Sequence, residues 1–439
     1  MDRIRAGRAG MLATALSLSA AMVAGPLSAS GSAVPGPAAS GPAASPGSDG
    51  SSAHGPKDVR VDPGRADGHA HHPLSLYVQS YGVDGTPLVT TSSPAGYAPA
   101  TIKGYLGLSG TGSGQTIAIV VAYNDPTISA DLTTFDSNFG LAAPPSFKKV
   151  SETGTNTLPV TDANWSLESS LDVEWAHALA PAASIILVEA TTSSLSDLDA
   201  AIDWAGKQSG VSVISNSWGT SGEISGETTN DSHCKLLKAV CVFSSGDAGN
   251  PGGYPAYSPW VVSVGGTTLN LSTTSGVVSV TSETAWSGSG GGSSIYEAKP
   301  AYQTGFGSAT GRGIPDVSYD ANPSTGVAVY DSTPYNGSSG WFEMGGTSAG
   351  APQWSAILAV ADQERVTAKK VVLAAYITSS PTYRMNTDLY GLKSGLADIT
   401  TGSTNGTCGS ICTAAVGYDY VTGLGSPRKG IDTALVNAT

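Results

Sequence analysis

Ser348 sits in Gly345-Gly346-Thr347-Ser348-Ala349-Gly350-Ala351-Pro352, a glycine-rich turn that leads into the apolar, helix-forming stretch 353–361. Small neighbours leave its oxygen accessible, and the unpaired N–H groups of a first helical turn favour developing negative charge. This is a good seat for a nucleophile. Pro352 is expected in that first turn, where its missing N–H has no intrahelical partner. Glu168 and Asp172 stand four apart, which on a helix puts both carboxylates on one face, about one turn apart. Mutual repulsion in such a pair raises one pKa into the range of a general base in mild acid. Asp247, in Ser244-Ser245-Gly246-Asp247-Ala248-Gly249, is either a turn-forming residue or a catalytic carboxyl group. Ser217-Trp218-Gly219 is suited to offering a peptide an extended backbone edge with an aromatic wall beside it; the alternative is an ordinary strand-end turn.

A Ser-His-Asp arrangement is the obvious competitor and needs a histidine poised as base. The region holding these groups offers only His177 and His233, neither in a small-residue setting near a helix start, so the expected base is a carboxylate. His177 lies five residues beyond Asp172, turned away from the acidic face, and reads as structural.

The elements that must position these groups follow from hydrophobic pattern. Thr116–Ala122 (TIAIVVA) is a continuous β-branched run of the kind found in buried parallel strands. Similar runs occupy 184–189, 211–215, 239–243 and 261–264, with helical patterns at 167–179 and 195–207 between them. Strands alternating with helices indicate an α/β fold with a mostly parallel twisted sheet, helices on both faces, and functional groups at the carboxyl ends of the strands.

Composition narrows the class of partner. Only 13% of residues are charged, the net charge is −13 and the pI is about 4.8, so no basic stripe is available for nucleic acid. Arg3, Arg5 and Arg8 precede an apolar run, 11–23, and small residues; this is a secretory signal pattern over 1–29, too short to span a bilayer. An exported chain without membrane spans, acting as a monomer, is expected. Cys234, Cys241, Cys408 and Cys412 then read as two local disulfides, 234–241 and 408–412. Zinc is disfavoured because no histidine lies near the second pair and His233 alone cannot complete a site at the first. Residues 30–73, rich in Pro, Ala, Gly and Ser, read as a disordered linker or short pro-segment, with one large domain over 74–439.

In combination, Glu168-Ser-Ser-Leu-Asp172, Ser217-Trp-Gly219, Ser244-Ser-Gly-Asp247 and Gly345-Gly-Thr-Ser348 with Pro352 resemble the sedolisin (serine-carboxyl) peptidases, which have a subtilisin-like fold. Tyr254-Pro-Ala, Val264-Gly-Gly-Thr267, Gly290-Gly-Gly292 and Pro315-Asp-Val-Ser318 extend the likeness, which runs from about Tyr97 to Pro427. The resemblance implies that Ser348 is the nucleophile, Glu168 its base and Asp172 the carboxylate that orients Glu168. It implies further that Asp247 is the oxyanion-hole residue and that protein or peptide substrates are hydrolysed in acid. It also implies one Ca2+ held by Asp398 and Asp419 side chains and the carbonyls of Ile399, Ala415 and Gly417, oxygen donors that suit a hard cation. Two turn-forming aspartates would be the simpler explanation of that segment. One departure stands out. Family members are made with a large folded propeptide, whereas fewer than a hundred residues separate the signal pattern from the first buried run.

Overall fold

The β-branched run 116–122 becomes the middle of a sheet because both its faces are apolar and both are covered. The structure, a computed structural model, describes Asp58–Arg60, Ala70, Ser75–Tyr77 and residues 93–235, 237–373 and 384–438. The signal pattern lies outside the described residues. In chain order the elements begin β1 (Asp58–Arg60), β2 (Ser75–Tyr77), α1 (Pro99–Leu106), β3 (Thr116–Ala122), α2 (Ile128–Phe139), β4 (Phe147–Ser151) and α3 (Ala163–Leu179). Next come β5 (Ser184–Ala190), α4 (Leu195–Gly206), β6 (Val211–Asn216), α5 (Ser232–Lys235), β7 (Val240–Ser244), β8 (Val261–Thr274), β9 (Val277–Ala285), β10 (Gly292–Ala298) and β11 (Gly311–Ile314). The chain continues through β12 (Val317–Asp320), β13 (Val327–Tyr335), β14 (Ser338–Gly345), α6 (Thr347–Thr367), α7 (Arg384–Tyr390), β15 (Leu396–Ala397), β16 (Ser426–Pro427) and α8 (Ile431–Asn437).

The central sheet has eight strands in the order β12-β8-β7-β6-β3-β5-β4, with β9 added antiparallel to β8. All its other pairings are parallel, with Ile119 of β3 facing Leu187 on one side and Ser215 on the other. Helices α3 and α6 pack on each other and reach β3, β6, β7 and β8, while α4 packs on β5, β3 and β6. The core between them is continuous, from Ile102 to Leu435. This is the α/β architecture expected.

Three features depart from the sequence reading. The run at 261–264 is only the start of β8, which continues to Thr274 and turns back through Ser275 and Gly276, both at positive φ, into β9; this two-residue turn fixes the hairpin. A second sheet, β1-β2-β14-β13, is antiparallel. Its first two strands fall in or beside the stretch expected to be a disordered linker. Within that stretch Asp58–Arg60 pairs with β2 through backbone bonds that need no apolar side chain, and Ala70 is buried in the main core. Helix α3 also begins four residues before the apolar pattern does. Asp162 caps it, its carboxylate accepting from the N–H groups of Asn164 (2.9 Å) and Trp165 (3.1 Å).

Candidate active site

Helix α3 is buried on every side, from Trp165 to Leu179. Two of its serines hydrogen-bond back along the chain, Ser166 to the Asp162 carbonyl and Ser169 to the Trp165 carbonyl, while Ser170 donates to Asp125 Oδ2 at 3.4 Å. Glu168 and Asp172, on this enclosed helix, have no exposed surface. Burial is the largest influence on Glu168 and holds its pKa well above the carboxylate range. The neighbouring charge of Asp172 adds to this, while the nearby hydroxyls of Ser348 and Ser217 oppose it. Burial likewise raises Asp172, opposed by Ser217, whose hydroxyl donates to Asp172 Oδ1 at 2.6 Å.

Ser348 is the second residue of α6. Gly346, at φ +89, makes the sharp entry that an L side chain resists. Because the helix starts at Thr347, Pro352 is its sixth residue and lies beyond the first turn, contrary to the sequence reading. The missing Pro352 N–H deprives the Ser348 carbonyl of its intrahelical donor. That carbonyl lies 3.3 Å from Ser217 Oγ instead.

Asp247 follows β7 and is half-buried. Its Oδ1 accepts from both the N–H and the hydroxyl of Thr347, each at 2.8 Å, and the Thr347 hydroxyl also accepts from Gly246 N–H at 3.1 Å. Asp247 is electrostatically coupled to Glu168. Three predicted carboxyl groups and Ser348, contributed by α3, the end of β7 and the start of α6, are therefore brought together at the carboxyl edge of the sheet.

The Ser217–Gly219 segment behaves differently from expectation. Ser217 turns its hydroxyl inward to Asp172. Trp218 is fully buried, its indole N–H on the Val120 carbonyl at 3.0 Å and its ring edge-on to Phe243, so it forms no exposed aromatic wall. An indole at a strand end gains more from the core than from solvent. Only the backbone edge remains, and Gly219 takes part in a β-bridge. The two histidines are held elsewhere: His177 by Asp136 and the Ala142 carbonyl, His233 by Asp203 and Asp199. The cysteines pair as 234–241 and 408–412.

Around the C-terminal loop, Asp398 Oδ2 accepts from Gly417 N–H at 2.8 Å and Asp419 Oδ2 from Ala415 N–H at 3.0 Å, so both carboxylates hold the same short loop. Asp419 also caps the following turn at Val421 and Thr422. Neither is in an ion pair among the described residues. Two unneutralised carboxylates beside a glycine-containing loop with Ile399 close by form a hard-oxygen set that fits Ca2+.

Sequence reasoning missed a second acidic cluster, in which Asp125, Asp131 and Asp331 bring carboxylate oxygens within 4.8 Å of one another, all buried. Burial, with repulsion from neighbouring carboxylates, holds Asp125 up to about 6 and Asp331 up to about 8. The three come from separate elements, and no local spacing links them. Each also serves the backbone: Asp125 at the start of α2, Asp131 at Ser332, and Asp331 at Thr333.

A buried serine at a helix start, beside paired carboxylates at the edge of a parallel sheet, defines a subtilisin-like arrangement with no histidine at the site among the described residues. The chain belongs to the subtilase family, whose pattern matches residues 162–392. Within it the paired carboxylates place the chain with the sedolisins. It is 29% identical to kumamolisin of Bacillus sp. (strain MN-32) over 380 residues, covering 77% of this chain and 63% of that protein. Tripeptidyl-peptidase SED3 of Arthroderma otae (strain ATCC MYA-4605 / CBS 113480) is 29% identical over 275 residues, covering 51% and 41%. The structure of Pseudomonas sedolisin, a serine-carboxyl proteinase complexed with two molecules of pseudo-iodotyrostatin, superposes with a TM-score of 0.62 at 26% identity, covering 76% of this chain and 96% of that one. The chain spans less than two thirds of the curated relatives it matches.

Proposed function

We propose that the protein is an acid-acting serine-carboxyl peptidase that cleaves peptide bonds through an acyl-enzyme on Ser348. The observation that carries this reading is the Ser348 hydroxyl beside a fully buried Glu168 and its neighbour Asp172, with His177 and His233 committed elsewhere. Ser348 Oγ attacks the carbonyl carbon while Glu168 takes its proton, and Asp172 keeps Glu168 oriented. Asp247 donates a hydrogen bond to the oxyanion while protonated, together with helix N–H groups. The amine leaves with the proton held by Glu168, and water then releases the acyl group by the same steps. Gly219 offers the backbone edge on which substrate lies. In this reading residues 1–29 export the chain, 30–73 precede the catalytic domain 74–439, and the protein acts as a secreted monomer.

Within this reading, Asp398, Asp419 and the carbonyls of Ile399, Ala415 and Gly417 hold one Ca2+. The ion supplies charge neutralisation that keeps this loop folded; none of the catalytic steps passes through it.

Endopeptidase action is the primary reading. The likeness to a tripeptidyl-peptidase favours an exopeptidase as the alternative. Hydrolysis of internally quenched peptides at about pH 3–5 tests the class, with wild type active and Ser348→Ala inactive. Equal rates in the two would refute the mechanism. Peptide binding without cleavage by wild type would instead indicate a non-catalytic scaffold. N-acetylated and free peptides cleaved equally well support the endopeptidase, whereas a requirement for the free amine supports the alternative.

A further inference from the structure

Thr347 stands between the glycine that opens α6 and the nucleophile, and it has no exposed surface. A helix start leaves its first N–H groups without intrahelical partners, and a side-chain oxygen at the cap position commonly takes one of them. Here the cap position is Gly346, which has no side chain to offer. Asp247, 100 residues earlier in the chain, supplies the acceptor instead: its Oδ1 takes the Thr347 N–H at 2.8 Å.

The Thr347 hydroxyl reaches the same oxygen, also at 2.8 Å, and its direction is fixed by its other partner. The N–H of Gly246 can only donate, and it meets Thr347 Oγ1 at 3.1 Å. The hydroxyl therefore accepts from Gly246 and directs its single proton to Asp247. Oδ1 thus takes two donors from one residue, which occupies both of its lone pairs. A neutral carboxyl group has one oxygen that accepts and one that carries the proton, and the oxygen already holding two donors is the one that accepts.

We propose that Thr347 is a positioning residue: it makes Oδ1 the accepting oxygen of neutral Asp247 and so places the carboxyl proton on Oδ2, from which the developing oxyanion receives its hydrogen bond. This rests on the peptidase reading above, in which Asp247 is the oxyanion donor. No covalent bond to substrate changes in this step; the hydroxyl selects between two places for one proton. Without it, only the Thr347 N–H tells the two oxygens apart, and part of the population carries the proton on the oxygen turned to α6, where it cannot be donated to substrate. An asparagine at 247 would be turned by the same two donors, its carbonyl on Thr347 and its NH2 in the place of Oδ2. The expected loss is about tenfold in kcat, below the factor on the order of 10² to 10³ typical of deleting an oxyanion donor altogether.

A double-mutant cycle in the full chain, read as kcat and KM for an internally quenched peptide at about pH 4, separates positioning from a disturbed turn. Thr347→Val should lower kcat about tenfold and leave KM within about twofold. In the Asp247→Ala background, where there is no carboxyl proton to place, the same replacement should change kcat by less than about twofold. A peptide aldehyde, whose adduct with Ser348 puts an oxygen in the oxyanion position, should bind Thr347→Val more weakly by the factor lost from kcat/KM; it gives the same comparison where turnover in the Asp247→Ala background is too slow to follow. Thr347→Ser, which keeps the hydroxyl, should recover most of the loss, and Thr347→Ala serves for the cycle should the valine variant not fold. A tenfold loss in the Asp247→Ala background as well shows that Thr347 does not act through Asp247 and overturns the proposal, as does wild-type kcat in Thr347→Val; both leave the peptidase reading standing. Inactivity of wild type overturns the peptidase reading and the proposal with it.

Discussion

Replacing Ser217 by alanine probes how the buried carboxylates are kept usable. The Ser217 hydroxyl has one proton and two acceptors, Asp172 Oδ1 at 2.6 Å and the Ser348 carbonyl at 3.3 Å. When Asp172 is ionised it takes that proton. When Asp172 is protonated it can donate to Ser217, freeing the hydroxyl for the carbonyl left without a donor by Pro352. The Ser217 hydroxyl, beside both carboxyl groups, favours the ionised forms of Glu168 and Asp172. A hydrogen bond to a charged group contributes about 1.5–3 kcal/mol, and 1.36 kcal/mol corresponds to one pKa unit.

Ser217→Ala should therefore move the acid limb of kcat/KM upward by about one to two pH units. The sign follows from the base, which works only when ionised; removing a group that favours ionisation raises its pKa and leaves it protonated at the old working pH. At pH 4 the loss should be about 10- to 100-fold and carried mostly by kcat, shrinking as pH rises towards 6. Ser217→Thr, which keeps the hydroxyl, should stay near wild type. The measurement is a pH profile of kcat/KM for the three proteins on one quenched peptide. An alanine variant with an unmoved acid limb would refute the coupling, whatever its absolute rate.

Asp331 links pH to stability. Its folded pKa of about 8 lies above the ordinary value of 3.8, so its protonated form is favoured by folding: that stability is present below about pH 4 and is lost as pH rises to about 8. Asp331→Asn should flatten this loss, with a ceiling of roughly 5 kcal/mol at pH 8 and little change at pH 4, read by denaturant unfolding at both values; equal slopes with pH would refute it. Chelation should lower the melting temperature by about 5 °C if free Ca2+ had been near 100 times its dissociation constant. Asp398→Ala, which spares the turn capped by Asp419, should abolish that response, and a melting temperature insensitive to chelator would count against the ion. A Cβ at Gly290 would lie 2.2 Å from the Ser245 carbonyl. Gly290→Ala should therefore displace the loop carrying Asp247, costing about 1–3 kcal/mol in stability and more than tenfold in kcat, whereas an unchanged kcat would separate that loop from the chemistry.

Most of the central sheet was legible because its strands are buried on both faces and read as unbroken apolar runs. The Glu168–Asp172 pair was legible for a similar reason: helical spacing alone puts the two on one face. What was not legible depends on partners distant in sequence. The inward turn of Ser217 depends on a carboxylate 45 residues earlier, and the burial of Trp218 on a carbonyl 98 residues away. Pro352 was misplaced by a turn because Gly346 starts the helix earlier than the apolar pattern does. The order at Asp58–Arg60 and Ala70 was hidden because those residues are recruited by backbone pairing, which leaves no mark on composition.

Burial explains why a histidine is unnecessary here. A solvated glutamate is ionised above about pH 4 and is a weak base. Glu168, enclosed by α3 and its neighbours and facing Asp172, is pushed upward until it holds a proton firmly, which makes it a competent acceptor from serine in the hydrolysis proposed above. The same burial costs the native state at neutral pH, since ionising both members of the pair, which have no cation in an ion pair with them among the described residues, is unfavourable. Asp247, as the proposed oxyanion donor, acts only while protonated. The base therefore sets the lower edge of the working range. Replacing Asp247 by asparagine, which donates at any pH and cannot carry the charge that raises Glu168, should extend activity upward in pH without raising the acid limb; a pH profile of kcat/KM narrowed on either side would refute this.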